Sequence, residues 1–169
     1  EELELGLYPS TSTVESALRA AGHDVDAARA EGLLFERMAG YVVFPWSDAT
    51  GQPATLYGRF PGSPVAGAPK TMALPGEGTK ASPLYFDRVR RAGCKDLVLV
   101  EGLFDAALLQ TKGETGVIAC MGAQFSGAQV ETLERHGVQS VTICLDPDGA
   151  GEKGTLACIK SLYAKGINA

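Results

Sequence analysis

From Leu97 to Leu145 short apolar runs recur at regular spacing, and that alternation restricts what the second half of the chain can fold into. The runs are Leu97-Val98-Leu99-Val100, Gly116-Val117-Ile118-Ala119-Cys120 and Val141-Thr142-Ile143-Cys144-Leu145. Each is too short for a helix and too continuously apolar for a strand with one wet face, so each reads as a strand buried on both sides. Between them lie helical stretches: about Asp105 to Thr111, closed by Gly113; one capped by Ser126 and ending near Gly137; and one from about Gly151 to Lys165. Ile167 reads as the opening of a fourth strand. Strands that alternate with helices in this way predict a parallel sheet with helices over both faces.

The first half obeys a different pattern. Residues 1–37 read as helical: Ser12 and Glu15 stand at capping-box spacing, Gly22 suits a helix end, and a second short helix spans about Asp24 to Glu31 before Gly32. Tyr41-Val42-Val43-Phe44 and Ala54-Thr55-Leu56-Tyr57 are strand-like, and the turn-rich Ser47-Asp48-Ala49-Thr50-Gly51 between them predicts a β-hairpin. Pro61 to Gly78 is a Gly/Pro-rich loop, and Ser82-Pro83 predicts a helix start, with the helix stopping at Gly93. The expected organisation is a helical lead-in over 1–37, a small α+β subdomain with a hairpin over 38–95, and a parallel α/β domain over 96–169.

Composition narrows the function classes. The chain has 169 residues, 45% of them hydrophobic and 21% charged, which is ordinary for a water-soluble globular protein. It shows neither an apolar run long enough to span a bilayer nor an opening secretion signal, so no membrane partner and a cytoplasmic location are expected. Cys94, Cys120, Cys144 and Cys158 form no CxxC pair, which rules out a zinc ribbon built from close thiolate pairs. The formal net charge of −5 argues against a general nucleic-acid binder, but charge is unevenly spread. Acidic residues crowd positions 1–37, whereas Arg59, Lys70, Lys80, Arg88, Arg90, Arg91 and Lys95 make the stretch 59–95 basic. A local basic surface binds phosphate even on an acidic protein.

Ligands of parallel α/β sheets bind beyond the carboxyl ends of the strands. Glu101 directly follows the first strand there, and Asp146 and Asp148 follow the third. If those strands are neighbours, three carboxylates gather, and a Mg²⁺ or Mn²⁺ ion relieves their mutual repulsion because hard cations take oxygen ligands. In an extended segment Asp146 and Asp148 would face the same side. Gly102, Gly149 and Gly151 leave room for a phosphate, and Gly151 leads into a helix N-terminus that favours an anion. Plainer roles exist for each: Asp105 as a helix cap, Asp148-Gly149 as a turn, Glu101 as an exposed loop residue.

Taken together, Val100-Glu101-Gly102-Leu103-Phe104-Asp105, Met121-Gly122 and Asp146-Pro147-Asp148-Gly149-Ala150-Gly151 resemble the Toprim domain shared by bacterial DnaG-type primases, topoisomerases and some nucleases. The upstream segments Phe35 to Pro45, Tyr57-Gly58-Arg59-Phe60, Pro69-Lys70-Thr71 and Lys80 before Leu84-Tyr85 resemble the primase branch, or the primase part of a primase–helicase. That resemblance implies a Toprim-type parallel sheet flanked by helices, preceded by a small α+β subdomain. It implies primer synthesis from nucleoside triphosphates on a single-stranded DNA template, with a replicative helicase as a further partner. It assigns metal binding and catalysis to Glu101, Asp146 and Asp148, with Asp105 in support, and phosphate contacts to Arg59, Lys70 and Lys80. Thr71 departs from the aromatic residue usual in the Pro-Lys segment. The family's zinc-binding domain and its later acidic segment are not in the sequence, so a fragment of a longer protein is expected. Two alternatives stand beside primer synthesis: strand cleavage of the Toprim nuclease or topoisomerase kind, and a non-catalytic DNA-binding module attached to a helicase.

Overall fold

The structure is a computed structural model that describes residues 3–63, 67–74, 81–122 and 124–169. The chain divides into two compact units, one comprising 1–46 and 54–78, the other 47–53 and 79–169.

The first unit is built on a four-stranded sheet in the order β1-β2-β3-β4, with β1 at Gly6–Leu7, β2 at Val42–Ser47, β3 at Pro53–Arg59 and β4 at Thr71–Ala73. β1 and β4 pair antiparallel with their neighbours β2 and β3. The β2–β3 pair is the expected hairpin, and Asp48 N–H closes its turn on the Gln52 carbonyl at 2.9 Å. The opening residues are not wholly helical: Gly6 pairs with Val43 before helix α1 (Thr11–Ala20) and helix α2 (Val25–Ala30) begin. The cap of α1 is Ser10, two residues ahead of Ser12, because Ser10 holds an extended backbone and its side chain accepts from Thr13 N–H. Glu36 satisfies a further free amide by accepting from Thr11 N–H at 3.1 Å. Tyr8, Met38, Tyr41 and Leu74 form the core, and Phe60 meets the Tyr41 ring edge-on at 5.2 Å. Gly58 is buried beneath Tyr41: a Cβ there would lie 3.2 Å from the Tyr41 Cβ, tighter than an ordinary contact, so glycine lets the strand approach the ring closely.

The second unit has a three-stranded parallel sheet in the order β6-β5-β7, from β5 (Asp96–Val100), β6 (Val117–Ala119) and β7 (Ser140–Cys144). Helices α3 (Phe86–Arg91), α4 (Leu103–Thr111), α5 (Gly127–Arg135) and α6 (Gly149–Tyr163) accompany it. Side chains alternate along a strand. Leu97, Leu99, Ile118 and Val141 pack with Phe86, Val89, Val130, Leu133, Cys158 and Leu162 from α3, α5 and α6. α4 packs on β5 and β6 with Ala106 and Ala107 buried. The expected covering of both faces is incomplete over β7, where Thr142 and Cys144 are exposed. The fourth-strand reading is met by a parallel bridge between Ser140 and Asn168.

The helix expected from Ser82-Pro83 starts later, at Phe86. Leu84 is held extended instead, exchanging hydrogen bonds with Ala119 (2.9 and 3.2 Å), and Tyr85 then reverses the chain at φ +66°. Tyr85 is buried, and its hydroxyl is the buried side-chain polar atom that lacks a hydrogen-bond partner among the described residues. Burial pushes the phenol up to about 12, so it stays an unpaired donor at neutral pH. Removing a buried, unsatisfied hydroxyl relieves about 1 kcal/mol or more. Tyr85→Phe is therefore expected to raise the unfolding free energy by about 1 kcal/mol in urea titrations, and a loss of that size would contradict the unpaired state.

Candidate metal and phosphate site

The parallel pairing of β5 with β7 decides where the acidic residues emerge. Val100 is in register with Cys144, so Glu101 and the segment leading to Asp146 leave the sheet from adjacent strands at the same edge. Glu101 is half-buried, whereas Asp105, Asp146 and Asp148 are exposed. Each carboxylate has a distinct setting.

Glu101 is anchored through its backbone: its carbonyl accepts from Met121 N–H at 3.2 Å, one step beyond the β5–β6 ladder. Its carboxylate has no hydrogen-bond or ion-pair partner among the described residues. Asp146 likewise offers a carboxylate without such a partner, while its backbone carbonyl accepts from Asp148 N–H at 2.8 Å. That bond spans two residues, so Asp146-Pro147-Asp148 forms a tight turn and not the extended segment expected. The proline, which fixes φ, and the cap that follows account for the difference. Asp148 caps α6: its Oδ1 accepts from Ala150 N–H at 2.9 Å and Gly151 N–H at 2.7 Å. Because capping uses one oxygen, Oδ2 remains available to a ligand. Asp105 is not a cap. Gly102 takes the cap position of α4 without a side chain, and Asp105 sits in the first turn with its Oδ2 over Gly102, 2.5 Å from where a Cβ would be.

These donors are all carboxylate oxygens, the set that suits a hard divalent cation. They emerge at one edge, yet among the described residues no group of three or more His, Cys, Asp and Glu is arranged to hold a metal. The cap on Asp148 and the turn at Pro147 explain why proximity of strands does not by itself bring the three side chains together.

Arg59 and Lys70 belong to the first unit. Arg59 pairs with Thr71 across β3 and β4, and Phe60 N–H donates to the Lys70 carbonyl at 2.9 Å, so their backbones lie side by side at one end of this pair. Arg59 is half-buried and Lys70 exposed. Lys80 lies outside the described residues.

Sequence reasoning picked out Met121-Gly122 as part of the motif but not the turn Cys120-Met121-Gly122, which holds the Glu101 backbone. Met121 has φ +61°, a conformation seldom adopted by a residue with a side chain. Burial pushes the Cys120 thiol up to about 11, which keeps it protonated and able to donate. The signal available in the sequence was the pair Met121-Gly122 directly after an apolar strand, and nothing in it reports the dihedral.

Residues 95–169 match the Toprim domain family. The chain is 35% identical over 132 residues to a DNA primase of Deinococcus radiodurans, across 75% of this chain and 22% of that protein. The chain is a Toprim-containing member of the DnaG-type primase family. Its fold is similar to the crystal structure of the Aquifex aeolicus primase zinc-binding and RNA polymerase domains, with a TM-score of 0.83 at 23% identity over 98% of this chain and 43% of the other. It is also similar to a DnaG primase catalytic domain bound to ssDNA, with a TM-score of 0.73 at 20% identity over 94% and 53% of the two chains. Thus it spans about a fifth of that curated relative and about half of each of these two solved chains.

Within the Toprim domain Gly151 meets a severe steric demand. A Cβ there would stand 1.9 Å from the Asp146 carbonyl oxygen, a backbone atom that cannot swing aside. At Gly149, two residues earlier in the same turn of α6, a Cβ meets nothing within 4 Å. Gly151→Ala is expected to lower stability by about 1–3 kcal/mol through this clash. Gly149→Ala is expected to be neutral or slightly stabilising, since alanine favours helix. Paired chemical denaturation curves check this, and equal effects at the two positions would contradict the close approach.

Proposed function

We propose that the chain carries the catalytic core of a DNA primase, which extends short RNA primers on single-stranded DNA from nucleoside triphosphates with a divalent cation. The observation that supports this most is the adjacency of β5 and β7, which brings Glu101 and Asp146 out at one sheet edge in a Toprim-type fold. Glu101, Asp146 and the free oxygen of Asp148 would hold Mg²⁺ or Mn²⁺. A bound cation of this kind activates a 3′-hydroxyl and neutralises charge on a departing pyrophosphate.

The protein's own residues do the rest. Asp105, in the first turn of α4 beside Gly102, shapes the negative edge next to Glu101. The absent side chain at Gly102 leaves the first amides of α4 without a side-chain cap. Arg59, Lys70 and Lys80 would hold template or nucleotide phosphates by charge-assisted contacts. One structural relative, a DnaG primase catalytic domain bound to ssDNA, supports single-stranded DNA as the template class.

The test is primer synthesis by the full-length protein. Glu101→Gln and Asp146→Asn should each lower primer yield by about 100-fold or more, the order expected when several kcal/mol of metal-derived stabilisation is lost. Circular dichroism should remain unchanged, because both side chains make no hydrogen bond or ion pair among the described residues. Undiminished synthesis by either variant contradicts the assignment. Cleavage of labelled DNA in Mn²⁺ without extension would favour the nuclease reading, and DNA binding with neither activity would favour the binding module.

A further inference from the structure

We infer that Cys120 is a positioning residue for Glu101, acting through the left-handed turn at Met121. This inference rests on the reading of Glu101 as a metal ligand. It goes beyond that reading because Cys120 touches neither metal nor substrate in it.

Met121 is one of three residues other than glycine with positive φ among those described, the others being Glu4 and Tyr85. A residue with a Cβ occupies that region only when its surroundings hold it there. Here the surroundings are identifiable. The thiol of buried Cys120 donates across Met121 to the Gly122 carbonyl at 2.8 Å, and the Val100 carbonyl is a second acceptor at 3.6 Å. Gln129 Nε2 donates to the Cys120 carbonyl at 3.4 Å, and the Gln129 Oε1 in turn accepts from Ser126 N–H at 2.9 Å. Gln129 is itself buried, so its amide is locked by the cap of α5.

The turn then acts on Glu101. Cys120 N–H donates to the Val100 carbonyl and Met121 N–H to the Glu101 carbonyl, both at 3.2 Å. These two bonds extend the β5–β6 ladder past its last paired residues, Val100 and Ala119, up to the acidic residue. The thiol bond to the Gly122 carbonyl closes a ring that also fixes ψ of Cys120, the angle that aims the Met121 N–H; without it that peptide plane is free to rotate and the N–H leaves Glu101. The carboxylate would then be carried on an unanchored strand end. Groups that orient metal ligands in this way commonly change metal affinity by 10- to 100-fold when removed.

The experiment measures Mn²⁺ affinity from the free-ion electron paramagnetic resonance signal for the 169-residue chain and its variants. Cys120→Ala is expected to weaken binding by about 10-fold. Cys120→Ser, which keeps a donor, should stay near the wild type. In a Met121→Gly background, where the left-handed turn carries no side-chain penalty, Cys120→Ala should lose most of its effect. A wild-type affinity in Cys120→Ala, with Glu101→Gln weakened, overturns the inference and leaves the metal site standing. Lower thermal stability of Cys120→Ala with unchanged Mn²⁺ affinity also overturns it, since that is a packing role alone. Equal binding by wild type and Glu101→Gln instead overturns the metal assignment of Glu101. Amide exchange in the wild type provides a readout that does not depend on any variant folding. Met121 N–H should be protected like the β5–β6 ladder, and free exchange there contradicts the anchoring.

Discussion

The parallel pairing of β5 with β7 is the contact on which the candidate site depends. Residues 96–100 of β5 pair one for one with residues 140–144 of β7, so a slip of β7 by one residue would turn Val141 out of the core it shares with Leu97 and Leu99. Burial on one face therefore fixes the register, and the register fixes which acidic residues meet at the carboxyl edge. The chemistry proposed for Glu101 and Asp146 is in this sense a by-product of core packing several residues away.

At that edge the backbone is held with little slack. Gly151 lets the start of α6 lie directly against the Asp146 carbonyl, Asp148 spends one carboxylate oxygen on the α6 amides, and the Cys120–Gly122 turn ties β6 to Glu101. The carboxylates of Glu101 and Asp146, by contrast, have no hydrogen-bond or ion-pair partner among the described residues. Fixed backbones at one sheet edge thus carry acidic side chains that no neighbouring group among the described residues engages. That combination is what a hard cation exploits.

Much of this was legible in the sequence because the signals are local and strong. Continuous apolar runs marked β5, β6 and β7, and Gly113, Gly137 and Ser126 marked helix ends and a start as the structure has them. Where the reading slipped, tertiary contacts overrode local pattern. Ser82-Pro83 is a good helix start, but Leu84 is drawn into bonds with Ala119 and delays α3. Ser12 has capping spacing, but Ser10 holds the extended backbone a cap needs. Asp146 and Asp148 have metal-binding spacing, but Pro147 and the α6 cap bend the segment into a turn. The role of Met121 depends on a dihedral angle that no spacing rule encodes. Arg59 and Lys70 were found through resemblance, and their side-by-side backbones, at the end of β3 and just before β4, follow from a pairing that the loop between them conceals.

The central claim, a divalent-cation site at the carboxyl edge of β5 and β7, is tested most directly by Mn²⁺ titration of the amide NMR spectrum. Paramagnetic broadening should appear first at Glu101, Gly102, Asp146, Asp148 and Gly149, and it should vanish from them in Asp146→Asn. Broadening that instead begins in the acidic 1–37 region, at residues such as Glu15 and Asp26, and that persists in Asp146→Asn, would contradict the site.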